Sequence, residues 1–295
     1  MFMNRPLDYT INVCGKLIDL SHPKVMGILN ATPDSFYAGS RKQTEAEIAD
    51  RADRIVEEGG SIIDVGAYST RPGAAEVTAE EEMTRMRMAL TVVRRCQPDV
   101  PLSVDTFRPE VARMAVEEFG AGIVNDVSGG DVNGAFGGSD STENGGAGTR
   151  QEGEAYPPMF RMAARLGVPY ILMSSQPSLR SMMMGFAKDV RLLRELGVKD
   201  IILDPGFGFG KTLQQNYAIL AGLERLLELE LPLLVGASRK SMIFRLLGST
   251  PDESLNGTTV INTIALAKGA SILRVHDVRA CAEAVRIMEE TAENV

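Results

Sequence analysis

The sequence predicts a (β/α)8 barrel, the TIM-barrel class, with an N-terminal β-hairpin. Three observations predict it. Eight short apolar runs recur along the 295 residues. Stretches of helical periodicity separate them, the pattern of parallel strands joined by helical crossovers. The runs are near-continuously apolar and rich in Ile and Val, as strands covered by helices require. An open doubly wound sheet shares these features, but eight units favour closure.

The hairpin comes first. Residues 10–20 read as two short strands about a turn at Cys14-Gly15-Lys16, placed to cap the lower end of the barrel. The barrel strands follow at 25–29, 61–65, 101–104, 122–124, 169–173, 200–203, 232–235 and 271–275. Helical periodicity occupies 45–58, 79–96, 109–119, 159–166, 187–196, 213–229 and 278–290. One segment breaks the alternation: 129–158 is rich in Gly, Ser, Asn and acidic residues with almost no apolar content. It buries too little to offset its ordering entropy and is expected to be a disordered insertion after the fourth strand. The alternation resumes beyond it, so the chain 1–295 is expected to be one domain.

Composition limits the function. Apolar residues make up 44% of the chain, enough for a large core, yet no run approaches the ~20 residues of a membrane helix. Residues 1–12 lack the basic-then-apolar pattern of a signal peptide, and a cytoplasmic protein is expected. The net charge of −8 and the absence of a dense Lys/Arg block argue against nucleic acid. Cys14, Cys96 and Cys281 are widely spaced and are expected to be buried free thiols rather than a disulfide frame or zinc site.

Each strand ends on polar residues. In order these are Asn30, Asp64, Asp105-Thr106, Asn125-Asp126, Ser174-Ser175-Gln176, Asp204, Ser238-Arg239-Lys240-Ser241 and Arg274 with His276. In a barrel all these ends share one face, where sites are built. Any one could merely cap the next helix, as Thr106 and Asp126 are expected to; eight together point to chemistry. Asp105 and Asp204 are carboxylates at an apolar mouth, and Asn125 both donates and accepts. That set suits a flat heterocycle with N–H and C=O edges. Arg274 and His276 are two apart and face the same way on a strand. With Arg239, Lys240 and Arg71 they form a local cationic cluster in an acidic protein, fit for a diphosphate. Asn30 offers an oxygen to Mg2+, which otherwise keeps water and phosphate ligands. The glycine-rich 204–212 stretch fails the phosphate-loop pattern at Pro205. It reads instead as a tight turn that brings Phe207 or Phe209 to the site.

These residues together resemble the dihydropteroate synthase family. The matching stretches are Met26-Gly-Ile-Leu-Asn-Ala-Thr-Pro-Asp-Ser-Phe36, Ser69-Thr-Arg-Pro-Gly-Ala74, Ser103-Val-Asp-Thr106, Asn125-Asp-Val-Ser-Gly-Gly130, Asp204-Pro-Gly-Phe-Gly-Phe-Gly-Lys-Thr212, Ser238-Arg-Lys-Ser241 and Arg274-Val-His-Asp277. They run in the family's order across nearly the whole chain. The resemblance implies condensation of 6-hydroxymethyl-7,8-dihydropterin diphosphate with p-aminobenzoate, giving 7,8-dihydropteroate and diphosphate. Asp105, Asn125, Met173, Asp204 and Lys240 would bind the pterin. Asn30 would meet Mg2+ and diphosphate, and Arg274 and His276 would hold the diphosphate. Phe36, Thr70, Arg71, Pro72, Phe209, Lys240 and Ser241 would form the p-aminobenzoate site. A homodimer with small-molecule substrates, and no nucleic-acid or membrane partner, is implied. The sequence departs from the family after the fifth strand, where Ser174 stands for the usual His. It departs again at Gly66-Ala67-Tyr68, where the commoner stretch is Gly-Gly-Glu.

Two other functions fit parts of this set. A pterin-dependent methyltransferase would use Asp105, Asn125 and Asp204 but has no diphosphate to hold. A pterin-binding paralogue without catalysis would keep the pterin residues alone. An aldolase using Lys240 is disfavoured, because a Schiff-base lysine points inward from a strand and Lys240 lies beyond one.

Overall fold

The structure is a computed structural model that describes residues 8–31, 41–68, 77–130 and 156–294. The hairpin forms as expected: β1 (Thr10–Val13) pairs antiparallel with β2 (Lys16–Asp19). Cys14 and Gly15 have φ of 52° and 84°, the left-handed pair that a two-residue type I′ turn requires. Asn12 Oδ1 accepts the Gly15 N–H at 2.8 Å, closing the turn. Cys14 is exposed at this tip and Cys96 half-buried, so only Cys281 is the buried thiol the sequence suggested.

The barrel strands are β3 (Lys24–Asn30), β4 (Ile62–Gly66), β5 (Leu102–Asp105), β6 (Ile123–Asp126), β7 (Tyr170–Met173), β8 (Ile201–Asp204), β9 (Leu234–Val235) and β10 (Ile272–Val275). They pair in parallel in the order β8-β7-β6-β5-β4-β3-β10-β9. A parallel bridge from Leu203 to Leu233 joins the two ends, so the barrel is nearly closed. The helices are α1 (Arg41–Glu57), α2 (Ala79–Cys96), α3 (Pro109–Phe119), α4 (Pro158–Leu166), α5 (Leu179–Glu195), α6 (Leu213–Ala221), α7 (Ser241–Leu247), α8 (Leu255–Ala267) and α9 (Val278–Glu293). No helix among the described residues is long and apolar enough to cross a membrane.

Several elements differ from expectation: α5 begins at Leu179 rather than 187. The single helix expected over 213–229 is broken: α6 stops at Ala221 and a 3-10 helix covers Leu223–Leu229. Between them a Cβ on Gly222 would lie 2.5 Å from Leu179 Cδ1, so the Leu179 side chain packs directly on the glycine backbone. Between β9 and β10 stand two helices, α7 and α8, that the periodicity did not single out. Of the expected insertion, residues 131–155 lie outside the described residues. Its edges are described: Gly129 and Gly130 sit in a turn, and Pro158 opens α4.

Two apolar clusters separate inside from outside. Outward residues such as Leu29, Val65, Val104, Leu172, Leu203 and Val275 pack against the helices. Inward residues Met26, Ile62, Ile123, Ile171, Ile202, Leu234 and Ile272 fill the lower barrel and meet Ile11, Val13 and Leu20 of the hairpin. The hairpin is therefore a plug. Burying each of those three side chains stabilises the fold by about 1.5–3 kcal/mol. The seat is tight at Gly122, where a Cβ would lie 2.4 Å from Val13 Cγ1. Gly122→Val is expected to cost about 1–3 kcal/mol through overpacking, read as a lower urea midpoint with the m-value unchanged.

Candidate active site

Above the apolar plug the inward positions turn polar. Register places Asn30, Gly66, Asp105 and Asn125 side by side across β3, β4, β5 and β6. Gly66 adds no side chain to this row. An added Cβ there would lie 3.5 Å from Asp105 Oδ2 and 3.6 Å from Asn30 Oδ1, so those two side chains converge above it. Met173 on β7 is the register neighbour of Asp204 on β8. Asp105, Asn125, Met173, Asp204 and Arg274 thus ring one mouth, as the sequence predicted.

Arg274 is the electrostatic hub. Its Nε donates to Asp64 Oδ2 at 2.6 Å and its Nη2 to Asp105 Oδ2. Asn125 Nδ2 donates to the same Asp64 oxygen at 3.1 Å. Asp64 is fully buried. The sequence marks it only as a strand end, yet it anchors the polar row. Its place inside an apolar strand was the available signal, since a buried carboxylate demands a partner. Burial raises the Asp105 carboxyl to about 7; Arg274 offsets part of this and Asp64 adds to it. Burial likewise raises Asp204, against the pull of Lys240 and the Gly206 N–H, which donates to Asp204 Oδ1 at 2.8 Å. Asp64 Oδ1, Ser103 Oγ and Asn125 Oδ1 are buried with no hydrogen-bond partner, an acceptor-rich floor.

The cationic side is sorted by geometry. Lys240 Nζ donates to Phe207 O at 2.6 Å and lies 4.2 Å above the Phe209 ring. Burial lowers the Lys240 ammonium to about 8, with Asp204 opposing. Phe209 is the ring at the site, whereas Phe207 is wholly buried behind it. Lys211 ties the turn together, donating to the carbonyls of Ser174 (2.9 Å), Gly206 (3.0 Å) and Phe209 (3.2 Å). Ser174 thus joins the wall through its backbone. Gly206, at φ 61°, is obligatory, since a Cβ would lie 2.5 Å from Ser174 O.

His276 accompanies Arg274 at the end of β10. Its ring Nδ1 lies 3.1 Å from Ser238 Oγ, and its backbone N–H donates to that oxygen at 3.2 Å. The hydroxyl that accepts the backbone N–H can also donate to Nδ1 or accept from it, so Ser238 holds the ring in either tautomer. Ser241 opens α7 directly after Lys240.

Some expected placements fail. Arg239 is not part of the cationic cluster: at φ 55° it turns away and forks onto Asp277 at 2.8 and 2.7 Å. Thr106 does not cap α3; its Oγ1 donates to buried Glu82 at 2.6 Å and accepts the Arg108 N–H at 3.1 Å. Asp126 caps no helix either. It faces outward and pins the 127–130 turn, accepting from Ser128 N (2.7 Å), Gly130 N (2.7 Å) and Tyr170 OH (2.5 Å). Phe36, Thr70, Arg71 and Pro72 lie outside the described residues.

The comparisons with known proteins converge. Residues 26–276 match the family model described as pterin binding enzyme. The dihydropteroate synthase of Escherichia coli K12 is 40% identical over 292 residues, spanning 94% of each chain. The Xanthomonas albilineans dihydropteroate synthase solved with 4-aminobenzoic acid superposes with a TM-score of 0.80 at 34% identity, covering 99% of this chain and 100% of that one. The same enzyme in complex with 7,8-dihydropteroate gives a TM-score of 0.79 at 32% identity over 97% of this chain and 100% of that one.

Proposed function

The chain belongs to the dihydropteroate synthase family, and we propose the following division of labour for the condensation of 6-hydroxymethyl-7,8-dihydropterin diphosphate with p-aminobenzoate. The observation that carries it is the ring of Asp105, Asn125 and Asp204 over unpartnered buried acceptors, with Arg274 and His276 on the adjoining strand. A pterin offers ring and exocyclic N–H groups to such acceptors. Asp204 receives a parallel pair, Asn125 and Asp105 the remaining edge, Met173 packs against the ring, and Lys240 donates to a ring acceptor.

The Asp64 and Asp105 bonds occupy two of the five N–H groups of Arg274. The others, with Nε2 of His276, face the diphosphate. The arylamine nitrogen attacks the pterin methylene carbon: a C–N bond forms, the C–O bond breaks, diphosphate takes the electron pair, and the new ammonium gives its proton to solvent. The neutral amine needs no strong base. Asp105 and Asp204 stabilise positive charge developing on the pterin, while Arg274 and His276 stabilise negative charge on the leaving group. Phe36, Thr70, Arg71, Pro72, Phe209, the stem of Lys240 and Ser241 receive p-aminobenzoate.

Asn30 fits Mg2+ only as one ligand among water and phosphate oxygens. Asn30 is an exposed residue at the mouth with its side-chain oxygen over Gly66, and the described residues hold no cluster of three or more His, Cys, Asp or Glu ligands. When bound there, the ion neutralises charge on the departing diphosphate.

The test mixes protein, Mg2+, the pterin diphosphate and p-aminobenzoate and seeks dihydropteroate by mass spectrometry. Tight pterin binding without product at any loading would establish a non-catalytic paralogue instead. A cytoplasmic homodimer completes the reading. Leu246 and Leu247 at the end of α7, Leu255 and Val260 on α8, and Ile287 on α9 are exposed on neighbouring helices. The doubly substituted Val260→Arg/Ile287→Arg protein is expected to sediment as a monomer where the parent is a dimer. Equal sedimentation would place the interface elsewhere.

A further inference from the structure

We propose that Arg51, on α1, is a positioning residue for the diphosphate end of the site, holding β3 and β10 together where their ladder ends. The β3–β10 register runs out at Gly27 opposite Val275. Beyond it lie Asn30 on one strand and His276 after the other, with no partnered backbone between them in that register. Arg51 fills the gap. Its Nη2 donates to His276 O at 2.7 Å and its Nε to Ile28 O at 3.1 Å. One planar guanidinium thus spans two strand ends with two bonds of fixed spacing, a task for which its fork geometry is suited and a lysine's point charge is not.

The consequence concerns the His276 side chain. Its backbone N–H and ring are held by Ser238, and its carbonyl by Arg51. These two side chains come from different elements and fix the two peptides that flank His276 and aim its imidazole. Asn30 lies two residues beyond Ile28 on the same face of β3, and the cavity lined by Asn30, Thr44, Glu47 and Arg51 adjoins it. Arg51 therefore sets the separation of Asn30 and His276 without touching the substrate. The effect should fall on the diphosphate and spare the pterin ring, which is held by β5, β6 and β8.

This inference rests on the assignment of Asn30 and His276 to diphosphate, and the experiment separates the two. Calorimetry with Mg2+ present measures binding of 6-hydroxymethyl-7,8-dihydropterin diphosphate, of the corresponding alcohol, and of inorganic pyrophosphate, to the parent protein, Arg51→Met and Arg51→Lys. Arg51→Met is expected to weaken the diphosphate ester and pyrophosphate about tenfold while leaving the alcohol within twofold; Arg51→Lys, able to reach one carbonyl, falls between. If the alcohol weakens as much as the ester, Arg51 is a general support of the barrel and the proposal is wrong. It is equally wrong if Arg51→Met binds all three ligands like the parent. If the parent itself fails to prefer the ester over the alcohol, the diphosphate assignment falls first. Melting temperatures of the three proteins, and the amine KM, which should not move, control for a general loss of structure.

Discussion

Arg274→Met is expected to lose binding of the pterin diphosphate and to destabilise the fold by about 3–5 kcal/mol, the usual cost of removing one partner from a buried charge cluster. Two carboxylates depend on that guanidinium, Asp64 through Nε and Asp105 through Nη2. The loss should depend on pH. Asp105 already titrates near 7 because burial outweighs Arg274, and without Arg274 it would titrate higher still. A carboxyl raised in the folded state favours folding below its unfolded value, and that contribution is lost as pH rises through the folded value. Below about 7, Asp105 is protonated in parent and variant alike, so its share of the difference is small. Above 7 the parent ionises against Arg274 while the variant cannot do so cheaply, and the gap opens. Urea midpoints at pH 6 and 8.5 measure it; a gap of constant size would show that Arg274 is not what tolerates the Asp105 charge. Adding Asp105→Asn to Arg274→Met should restore part of the stability at pH 8.5 and none of the binding.

Asp204→Asn should behave in the opposite way, keeping the fold and losing the chemistry. An asparagine oxygen can still accept the Gly206 N–H that Asp204 now holds at 2.8 Å. Burial disfavours the Asp204 charge, so a neutral amide of equal size carries less desolvation cost. What disappears is the carboxylate that accepts two parallel N–H groups. Charge-assisted bonds of this kind contribute about 1.5–3 kcal/mol each, so kcat/KM for the pterin diphosphate should fall by a factor on the order of 10²–10⁴. The p-aminobenzoate KM should change little, whereas Arg71→Ala is expected to raise it and spare pterin affinity. Titration of each ligand separately checks this; equal losses of both ligands in both variants would remove the assigned division between the two substrates.

Much of this was legible because barrel topology does the placing. Once eight strands are recognised, Asp105, Asn125, Asp204 and Arg274 must share a mouth, whatever their distance in sequence. What stayed hidden depended on single dihedrals and on pairs far apart in the chain. Arg239 and Lys240 are adjacent cations, and only a positive φ at Arg239 sends it to Asp277 while Lys240 stays over Phe209. The Asp64–Arg274 pair spans 210 residues, and no local pattern announces it. The break falls at Gly222, whose missing Cβ makes room for Leu179, a contact far away in the chain that a periodic reading of 213–229 does not register. The four aromatic-loop and amine residues Phe36, Thr70, Arg71 and Pro72 rest on motif resemblance rather than geometry.

The plug formed by Ile11, Val13 and Leu20 has a kinetic corollary. With the lower barrel filled and stoppered, traffic passes through one doorway. A ligand seated against Asp204 and Asn125 lies at the bottom of a cul-de-sac, and whatever sits over Phe209 and Ser241 stands between it and solvent. Arrivals must then queue deep partner first, and departures must clear the outer guest before the inner one. Saturating p-aminobenzoate should accordingly slow escape of a pterin already seated, a trapping effect that a barrel open at both ends would not impose.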